Sequence, residues 1–366
     1  MSHRFRTVAV AALVLLAAGA APGEASARET EFGVNAQKLV FEQPPATWGR
    51  HFDGMASADL GAARIDALWQ AVEPRPPVGG RHRYHWERFD ALVGALARSR
   101  LRWLPVVGYS TTWAGEVPGN HRSPPRDHRL YARFAGAVAQ RYGRRGTFWR
   151  RHPTLPRMHV TDYEIWNAPN FQATTYPAED YADAYLAVRS AIRRQDPEAS
   201  VWVGGLSDRA PAFLTAMYAA RRDVRGNVDA VGLHPYGEGI EGVLAKTVAL
   251  RRTLEILGEE EVPITITELG WATRGESAVP HSSDADRARR LAIIAEVLAL
   301  SDCGVDSFLP HTWVTREQSA TDSEHWFGIV HPDGRPTASG RGYAAAVRRV
   351  ARWKADGAAE IPLCRG

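Results

Sequence analysis

Polar and aromatic residues recur in this chain directly after short apolar runs. In chain order these positions are Asn35, Arg64, Tyr109, residues 166–169 (Trp-Asn-Ala-Pro), Gly204, Gly205, residues 234–236 (His-Pro-Tyr), Glu268 and Trp313. Such a mixture suits a sugar, because its ring stacks on aromatic faces and its hydroxyls need fixed hydrogen-bond partners. The 12 tryptophans among 366 residues supply several such faces, although core packing explains a tryptophan at least as often. The pattern predicts a carbohydrate site wherever these run ends meet.

The apolar runs themselves are typical of eight β-strands. They begin near Glu31, Ala62, Arg102, Val160, Ser200, Ala230, Ile264 and Ser307. From the first run to the last is 276 residues, or seven intervals of about 39, which is long enough for strand, loop, helix and return. Segments with helical periodicity lie between them at 86–98, 126–144, 178–194, 210–222, 239–257, 283–299 and 340–354, and less clearly within 48–59.

Strict alternation of strand and helix predicts a parallel sheet. Eight units favour a single-domain (β/α)8 barrel, in which the strand ends share one face and build the active site. An open doubly wound sheet would usually carry a glycine-rich phosphate loop after its first strand, whereas here that strand ends in FGVN-AQ.

The first 27 residues have the features of a secretory leader. Arg4 and Arg6 give a basic start, residues 8–21 are apolar, and residues 25–27 form an A-x-A cleavage site. An uncleaved anchor is the alternative, but the apolar run is shorter than the roughly 20 residues that span a bilayer. We therefore expect a secreted protein, with a barrel at 28–356, a C-terminal tail at 357–366 and no membrane segment after cleavage.

Charge and cysteine content exclude some classes of function. The net charge is +4, and 42 of the 45 basic residues are arginines scattered along the chain. Nucleic-acid binding would need them clustered on one face, so we predict none. Export makes a disulfide between the two cysteines, Cys303 and Cys364, possible; it would hold the tail, and buried thiols are the alternative.

Five motifs, in order and at barrel spacing, resemble those of clan A retaining glycoside hydrolases. YEIWNAPN at 163–170 resembles their fourth-strand W-N-E-P-N motif, and ITELGW at 266–271 resembles the seventh-strand nucleophile motif. The segments at 63–74 (ARIDALWQAVEP) and 231–236 (ending HPY) and the late Trp313 also match. The chain is most similar to secreted bacterial enzymes of the family 39 and family 5 (cellulase-like) types, from about Phe32 to Val350.

The resemblance assigns roles residue by residue. It implies that Glu268 is the nucleophile, that Asn167 bonds the sugar 2-hydroxyl, and that Arg64 keeps the nucleophile ionised. It also implies that three further residues line the reactive-sugar subsite: His234, Tyr236 and Trp313. No cofactor is implied.

The chain departs from the family at the general acid/base, where it has Ala168. Retaining hydrolysis needs two carboxyl groups about 5–5.5 Å apart. Glu164 is four residues earlier, about 13 Å deeper along the strand, and is expected to be a paired core carboxylate. Loop carboxyls that could replace the acid are Glu116, Glu238, Glu317, Asp322 and Glu324. An engineered alanine is an alternative, although the intact leader favours a natural difference.

Two hypotheses follow from this departure. The chain is a secreted glycosidase whose hydrolysis is impaired or uses a relocated acid, or it is a pseudo-glycosidase that binds carbohydrate without cleaving it. A metal-dependent hydrolase is weaker: His234 and Glu268 could be two ligands, but no H-x-H pair follows the early strands, so no metal is expected.

Overall fold

Eight strands close into one parallel barrel in chain order, β1 to β8, in a computed structural model that describes residues 30–171, 176–276 and 281–365. This confirms the predicted single-domain (β/α)8 fold. The predicted leader, residues 1–27, lies outside the described residues.

Each of the eight predicted runs carries a strand. The strands are β1 (Glu31–Asn35), β2 (Ala62–Leu68), β3 (Arg102–Gly108), β4 (Asp162–Ile165), β5 (Ser200–Leu206), β6 (Ala230–Leu233), β7 (Ile264–Ile266) and β8 (Val305–Phe308). The strand register determines which residues lie at the same height in the barrel. Arg64 on β2 is level with Asn35 on β1 and with Leu104 on β3.

Helices surround the barrel and match the predicted segments to within a few residues. They are α1 (Gln37–Glu42), α2 (Trp48–Ser57), α3 (Trp69–Val72), α4 (Glu87–Arg98), α5 (His128–Tyr142), α6 (Thr147–Arg151), α7 (Ala178–Gln195), α8 (Ala210–Ala220), α9 (Ile240–Ile256), α10 (Asp284–Leu300) and α11 (Ala338–Ala355). The short α1, α3 and α6 were not predicted. Within the described ranges, no helix is long and apolar enough to cross a membrane.

Helix starts follow from local sequence. Ser283 caps α10 by accepting a hydrogen bond from the Asp286 N–H, and Thr337 caps α11 in the same way through the Gly340 N–H. Asp284 and Asp286 lie in the first turn of α10, where negative charge favours the helix dipole.

Buried tyrosines on the outer helices hydrogen-bond to carbonyls of the barrel strands. The hydroxyl of Tyr181 on α7 donates to the Ile165 carbonyl at 2.7 Å, and that of Tyr343 on α11 donates to the Phe308 carbonyl at 2.9 Å. Each carbonyl lies at the end of its strand, so these bonds fix the helices beside the mouth of the barrel.

The barrel interior has an apolar layer and a polar layer. Four residues form the apolar cluster inside the barrel: Leu104, Trp202, Ala230 and Leu309. Arg64 and Glu164 lie above this cluster, toward the carboxyl ends of the strands, and Arg102 pairs with Glu31 and Asp162 at the amino ends. The large remaining core lies between strands and helices. The interior is therefore a filled core whose polar layer faces the active-site end.

The C-terminal tail is held at the opposite end of the barrel. Cys303 and Cys364 are joined by a disulfide, with Cα atoms 5.0 Å apart. The Asp302 carboxylate also accepts backbone N–H bonds from residues 363–365, and Ser301 forms a β-bridge with Ile361. Backbone contacts therefore hold the tail in addition to the disulfide.

We predict that peptide mapping of unreduced protein will find Cys303 linked to Cys364, and that reduction will lower the free energy of unfolding. A crosslink over 61 residues contributes up to about 4 kcal/mol by chain entropy, and the Asp302 bonds should leave the reduced tail docked. Two free thiols in secreted protein would contradict this prediction. Cys303→Ser provides the unlinked reference.

Candidate active site

The guanidinium of Arg64 lies at the centre of the polar layer. Its Nε and Nη2 donate to Glu164 at 2.6 and 2.9 Å, and its Nη1 donates to Glu268 at 2.7 Å. Nη2 also donates to the Asn167 side-chain oxygen at 2.7 Å. Arg64 is 1% exposed. One buried cation thus joins β2, β4 and the segment after β7.

Glu164 binds the Arg64 guanidinium on the side away from the mouth of the barrel. It is fully buried and also accepts the Gly205 N–H at 2.8 Å and the Thr267 hydroxyl at 3.3 Å. Every donor around it is part of the barrel wall. The structure places Glu164 as the paired core carboxylate that the sequence favours, not as a group facing the mouth.

Glu268 lies one layer higher, with its side chain 16% exposed. Its Oε1 accepts from Arg64 and from Asn35 Nδ2 at 3.2 Å, and its Oε2 accepts the Tyr236 hydroxyl at 3.2 Å. Both carboxylate oxygens are therefore oriented before any ligand binds.

Electrostatics keep Glu268 ionised. Burial alone would raise its pKa, but the nearby charges of His234, Arg64 and His311 and the Arg64 hydrogen bond outweigh burial and lower the pKa. Burial also lowers the pKa of His234 itself, so that ring is neutral at neutral pH. Arg64 is consequently the lasting cation beside the carboxylate.

His234 and Tyr236 follow β6 and border Glu268. The imidazole Nδ1 of His234 is 3.7 Å from Glu268 Oε2, and its Nε2 lies 3.0 Å from the Thr267 hydroxyl. A Cβ on Gly205 would come within 1.9 Å of that ring, so glycine is required there. Burial and the Glu268 charge hold the pKa of Tyr236 well above its usual range, so the phenol stays protonated and donates.

The turn after β4 positions Asn167 and residue 168. Trp166 and Ala168 have φ of 69° and 46°, in the left-handed region that non-glycine residues rarely occupy. Such strain is concentrated at functional sites and costs about 1–3 kcal/mol per residue. Asn167 between them turns its side chain to Arg64.

Trp313 follows β8 but is 5% exposed. Its indole N–H donates to His51 on α2 at 3.2 Å, and its ring borders Gly54. Most of the ring therefore packs against a helix, and its role as a sugar platform stays a prediction.

The five loop carboxyls that could replace the acid are either paired with a basic side chain or exposed to solvent. Glu324 pairs with Lys38 at 2.9 Å; burial is outweighed by bonds to His311 and Lys38, which lower its pKa to about 2, so it holds no proton at neutral pH. Glu317 pairs with His331 at 2.9 Å. The remaining three are exposed: Glu116, Glu238 and Asp322.

Asp66 was missed by sequence reasoning. It lies on β2 two residues after Arg64, so both side chains face the barrel interior. It is 2% exposed, and its Oδ2 has no hydrogen-bond partner among the described residues. Burial, only partly offset by Arg64, raises its pKa to about 7. The period of two in ARID was the signal that could have found it.

Possible metal ligands are few at this site. His234 and Glu268 offer two, and His234 Nε2 faces a hydroxyl. In the described part of the chain, three such ligands come together at Asp302, Cys303 and Cys364, where both sulfurs are in the disulfide.

Comparison with known proteins places the fold among glycoside hydrolases. No family model and no curated protein matches the chain. A family 39 glycoside hydrolase from Bacteroides cellulosilyticus WH2 is 20% identical, with a TM-score of 0.64 over 87% of this chain and 63% of that chain. A monomeric beta-xylosidase from Caulobacter crescentus CB15 is 18% identical, with a TM-score of 0.63 over 87% and 67%.

A third solved structure, GH5_18 from Streptomyces cattleya in complex with GlcNAc, is 17% identical, with a TM-score of 0.63 over 92% of this chain and 83% of that chain. The match to the Bacteroides enzyme covers 63% of that enzyme, so this chain spans less than two thirds of its length. At these identities the likeness concerns the barrel fold.

We predict that Arg64→Met lowers the free energy of unfolding by about 3–5 kcal/mol, because it leaves buried Glu164 without its counter-ion. Urea denaturation at neutral pH measures this. Arg144→Met is the matched control: Arg144 pairs with Asp196 at 3.1 Å but is 33% exposed, so we expect about 1 kcal/mol or less. Equal losses in the two variants would contradict a central role for Arg64.

Proposed function

We propose that this protein is a secreted glycosidase that acts on O-glycosidic bonds of a polysaccharide or glycoside, with Glu268 as the attacking carboxylate. The observation that carries the proposal is Glu268 itself. It is ionised, oriented by Arg64, Asn35 and Tyr236, and set at the mouth of a barrel whose fold is that of glycoside hydrolases.

The arrangement supports attack at an anomeric carbon. Arg64 and Asn35 bind Oε1, so Oε2, which bears only the tyrosine bond, is the oxygen that would form the covalent bond to sugar. Tyr236 would then turn its hydroxyl to the ring oxygen or a sugar hydroxyl. Asn167, fixed by Arg64, would bond the 2-hydroxyl.

Departure of the leaving group is the difficult step for this chain. With alanine at 168, the proton that normally reaches the glycosidic oxygen from that position is missing, and general acid catalysis is typically worth about 10²–10⁴ in rate. Glycosides with activated leaving groups need little protonation and are therefore the substrates on which turnover should be fastest.

The structural neighbours support the reaction class and leave the sugar open. One is a beta-xylosidase and another was solved with GlcNAc. The predicted leader at residues 1–27 supports export.

A pseudo-glycosidase that binds carbohydrate without cleaving it is the second candidate. The observation in its favour is Ala168, because the turn around it keeps the family's Asn167 while the carboxyl is gone. Binding without turnover, even of activated glycosides, would distinguish it from the first.

We predict that Glu268→Gln lowers turnover of dinitrophenyl glycosides by about 10³-fold or more, because an amide is not a nucleophile. A panel of dinitrophenyl sugars first identifies the substrate. Glu317→Gln, which removes a carboxyl paired with His331 on a mouth loop, is the control and should retain turnover. A folded Glu268→Gln protein with undiminished turnover would refute the nucleophile assignment.

We predict that Ala168→Glu raises hydrolysis of glycosides with poor leaving groups by roughly a hundredfold or more, with little change for dinitrophenyl glycosides. Alanine already bears the left-handed φ, so glutamate adds no new backbone conformation. Repulsion between the new carboxyl and Glu268 would raise the pKa of one of them, as an acid partner requires.

Ala168→Gln is the control for Ala168→Glu, since it matches the size of glutamate without its proton. No gain from glutamate on any glycoside, while the parent protein binds sugar, would favour the pseudo-glycosidase.

A further inference from the structure

We propose that a basic groove between α5 and α7 binds an acidic polysaccharide through its carboxylate or sulfate groups. The groove shares no residue with the candidate active site at the mouth of the barrel. That it takes an extended anion is argued from its own residues. That this anion is the polysaccharide on which the enzyme acts rests on the proposed function.

The groove is a cavity of about 630 Å³ on the outside of the barrel. Small residues of the two helices leave room for it: Ala132, Gly136, Ala187 and Ala191. The helices approach closely there, since a Cβ on Gly136 would lie 3.4 Å from the Ala191 carbonyl oxygen. From Arg129 to Gln140 the groove follows about 16 Å of α5. That length suits an extended chain better than a single small ion.

Three arginines give the groove its charge. They are Arg129 and Arg133 on α5 and Arg194 on α7, and all three are exposed. Among the described residues that line the groove there is no aspartate or glutamate. A guanidinium is planar and can bond two oxygens of a carboxylate or a similar oxyanion at once. The groove therefore favours a ligand that carries several negative charges along its length.

The protein itself neutralises these arginines only weakly. Arg129 lies 3.6 Å from Asp127 with its side chain 95% exposed, and Arg194 donates to the neutral Ser190 hydroxyl at 2.8 Å. By contrast, Arg193 is next to Arg194 but outside the groove, and it pairs with a carboxylate at 2.9 Å. The charge inside the groove is thus available to a ligand.

The loop after α3 forms a fixed wall of the groove. His82 and Tyr84 line it, with their ring centroids 5.9 Å apart. Nδ1 of His82 is 2.7 Å from the carboxyl of Glu73, which is fully buried and also accepts the Trp69 indole N–H at 2.9 Å. Trp69 and Glu73 belong to the motif at 63–74, and the proposed reaction does not use them. Because the wall is held from inside the protein, less ordering is needed when a ligand binds.

The lining favours a sugar chain over a nucleic acid. Single-stranded nucleic acids stack their bases on open aromatic faces, but the half-buried Tyr84 ring is packed against His82 and Trp86, 5.9 and 5.5 Å away. Amide and hydroxyl groups line the groove instead: Gln140, Ser190 and Gln195. Such groups hydrogen-bond sugar hydroxyls, while the arginines bind the acidic groups of the same chain.

The first test measures binding of four probes to the full chain. Polygalacturonate carries carboxylates, dextran sulfate carries sulfates, and neutral dextran and a poly-dT oligonucleotide are the comparisons. We expect Arg133→Gln combined with Arg194→Gln to weaken binding of polygalacturonate or dextran sulfate about tenfold. The probe that binds more tightly identifies the acidic group.

The matched control is Arg222→Gln combined with Arg252→Gln, which removes two exposed arginines outside the groove. It should leave binding unchanged. Equal losses in the two double variants would make the effect one of net charge and overturn the site. Failure of wild type to bind either acidic polysaccharide would also overturn it, and tighter binding of the oligonucleotide would overturn the class of ligand.

A second test changes the charge inside the groove. Ser190→Glu places a carboxylate one helical turn before Arg194 and should weaken binding of the acidic polysaccharide, whereas Ser190→Gln has the same size without the charge and should not. Ser190 is exposed on α7, and urea denaturation checks that both variants are folded. Equal losses from glutamate and glutamine would contradict recognition by charge.

Binding can be measured without turnover, so the groove and the proposed function fail separately. A protein that binds the polysaccharide through the groove but hydrolyses no glycoside would overturn the proposed function and leave the groove in place. If the polysaccharide is hydrolysed, the Arg133 and Arg194 double variant should raise its KM with kcat unchanged. Dinitrophenyl glycosides, which are too small to reach the groove, should be unaffected. An unchanged KM for the polysaccharide would overturn a role of the groove in binding this substrate.

Discussion

A single buried guanidinium, that of Arg64, links the folding of this barrel to the chemistry at its mouth. It bridges Glu164 on β4, Asn167 in the turn after β4, and Glu268 after β7. These segments are distant in sequence, so the cation fixes their relative positions only once the barrel is closed. Because a buried cation is costly without partners, a closed barrel with all its carboxylates in place is the state in which Arg64 is satisfied.

The same cation divides the carboxyl groups into different protonation states. Glu164 and Glu268 accept its hydrogen bonds, and the pKa of Glu268 is lowered, whereas Asp66 lies close to the guanidinium without a bond to it and has its pKa raised by burial. Retaining glycosidases need one carboxylate that attacks and one acid that donates, and environments that push two pKa values apart provide both. Around this arginine the pKa of Glu268 is lowered and that of Asp66 is raised.

The fold could be predicted from sequence because its signal is repeated eight times. Short apolar runs at barrel spacing located every strand, and local periodicity located the major helices, including α2. Site residues that end a strand within a motif, such as Glu268 and Asn167, were also accessible. Asp66 was not, because its importance depends on burial and on a missing hydrogen-bond partner, and neither is visible in a strand that reads ARID. The burial of Trp313 against α2 and the Asp302 contacts of the tail are equally properties of tertiary packing.

Alanine at 168 is compatible with an intact fold because neighbouring residues hold the turn after β4. The strained turn after β4 is held by Trp166 in the core and by Asn167 on Arg64, and both are present. These contacts hold the turn with alanine at 168. Arg64, Asn35 and Tyr236 orient Glu268, and the Arg64 contact serves both the closed barrel and the proposed nucleophile.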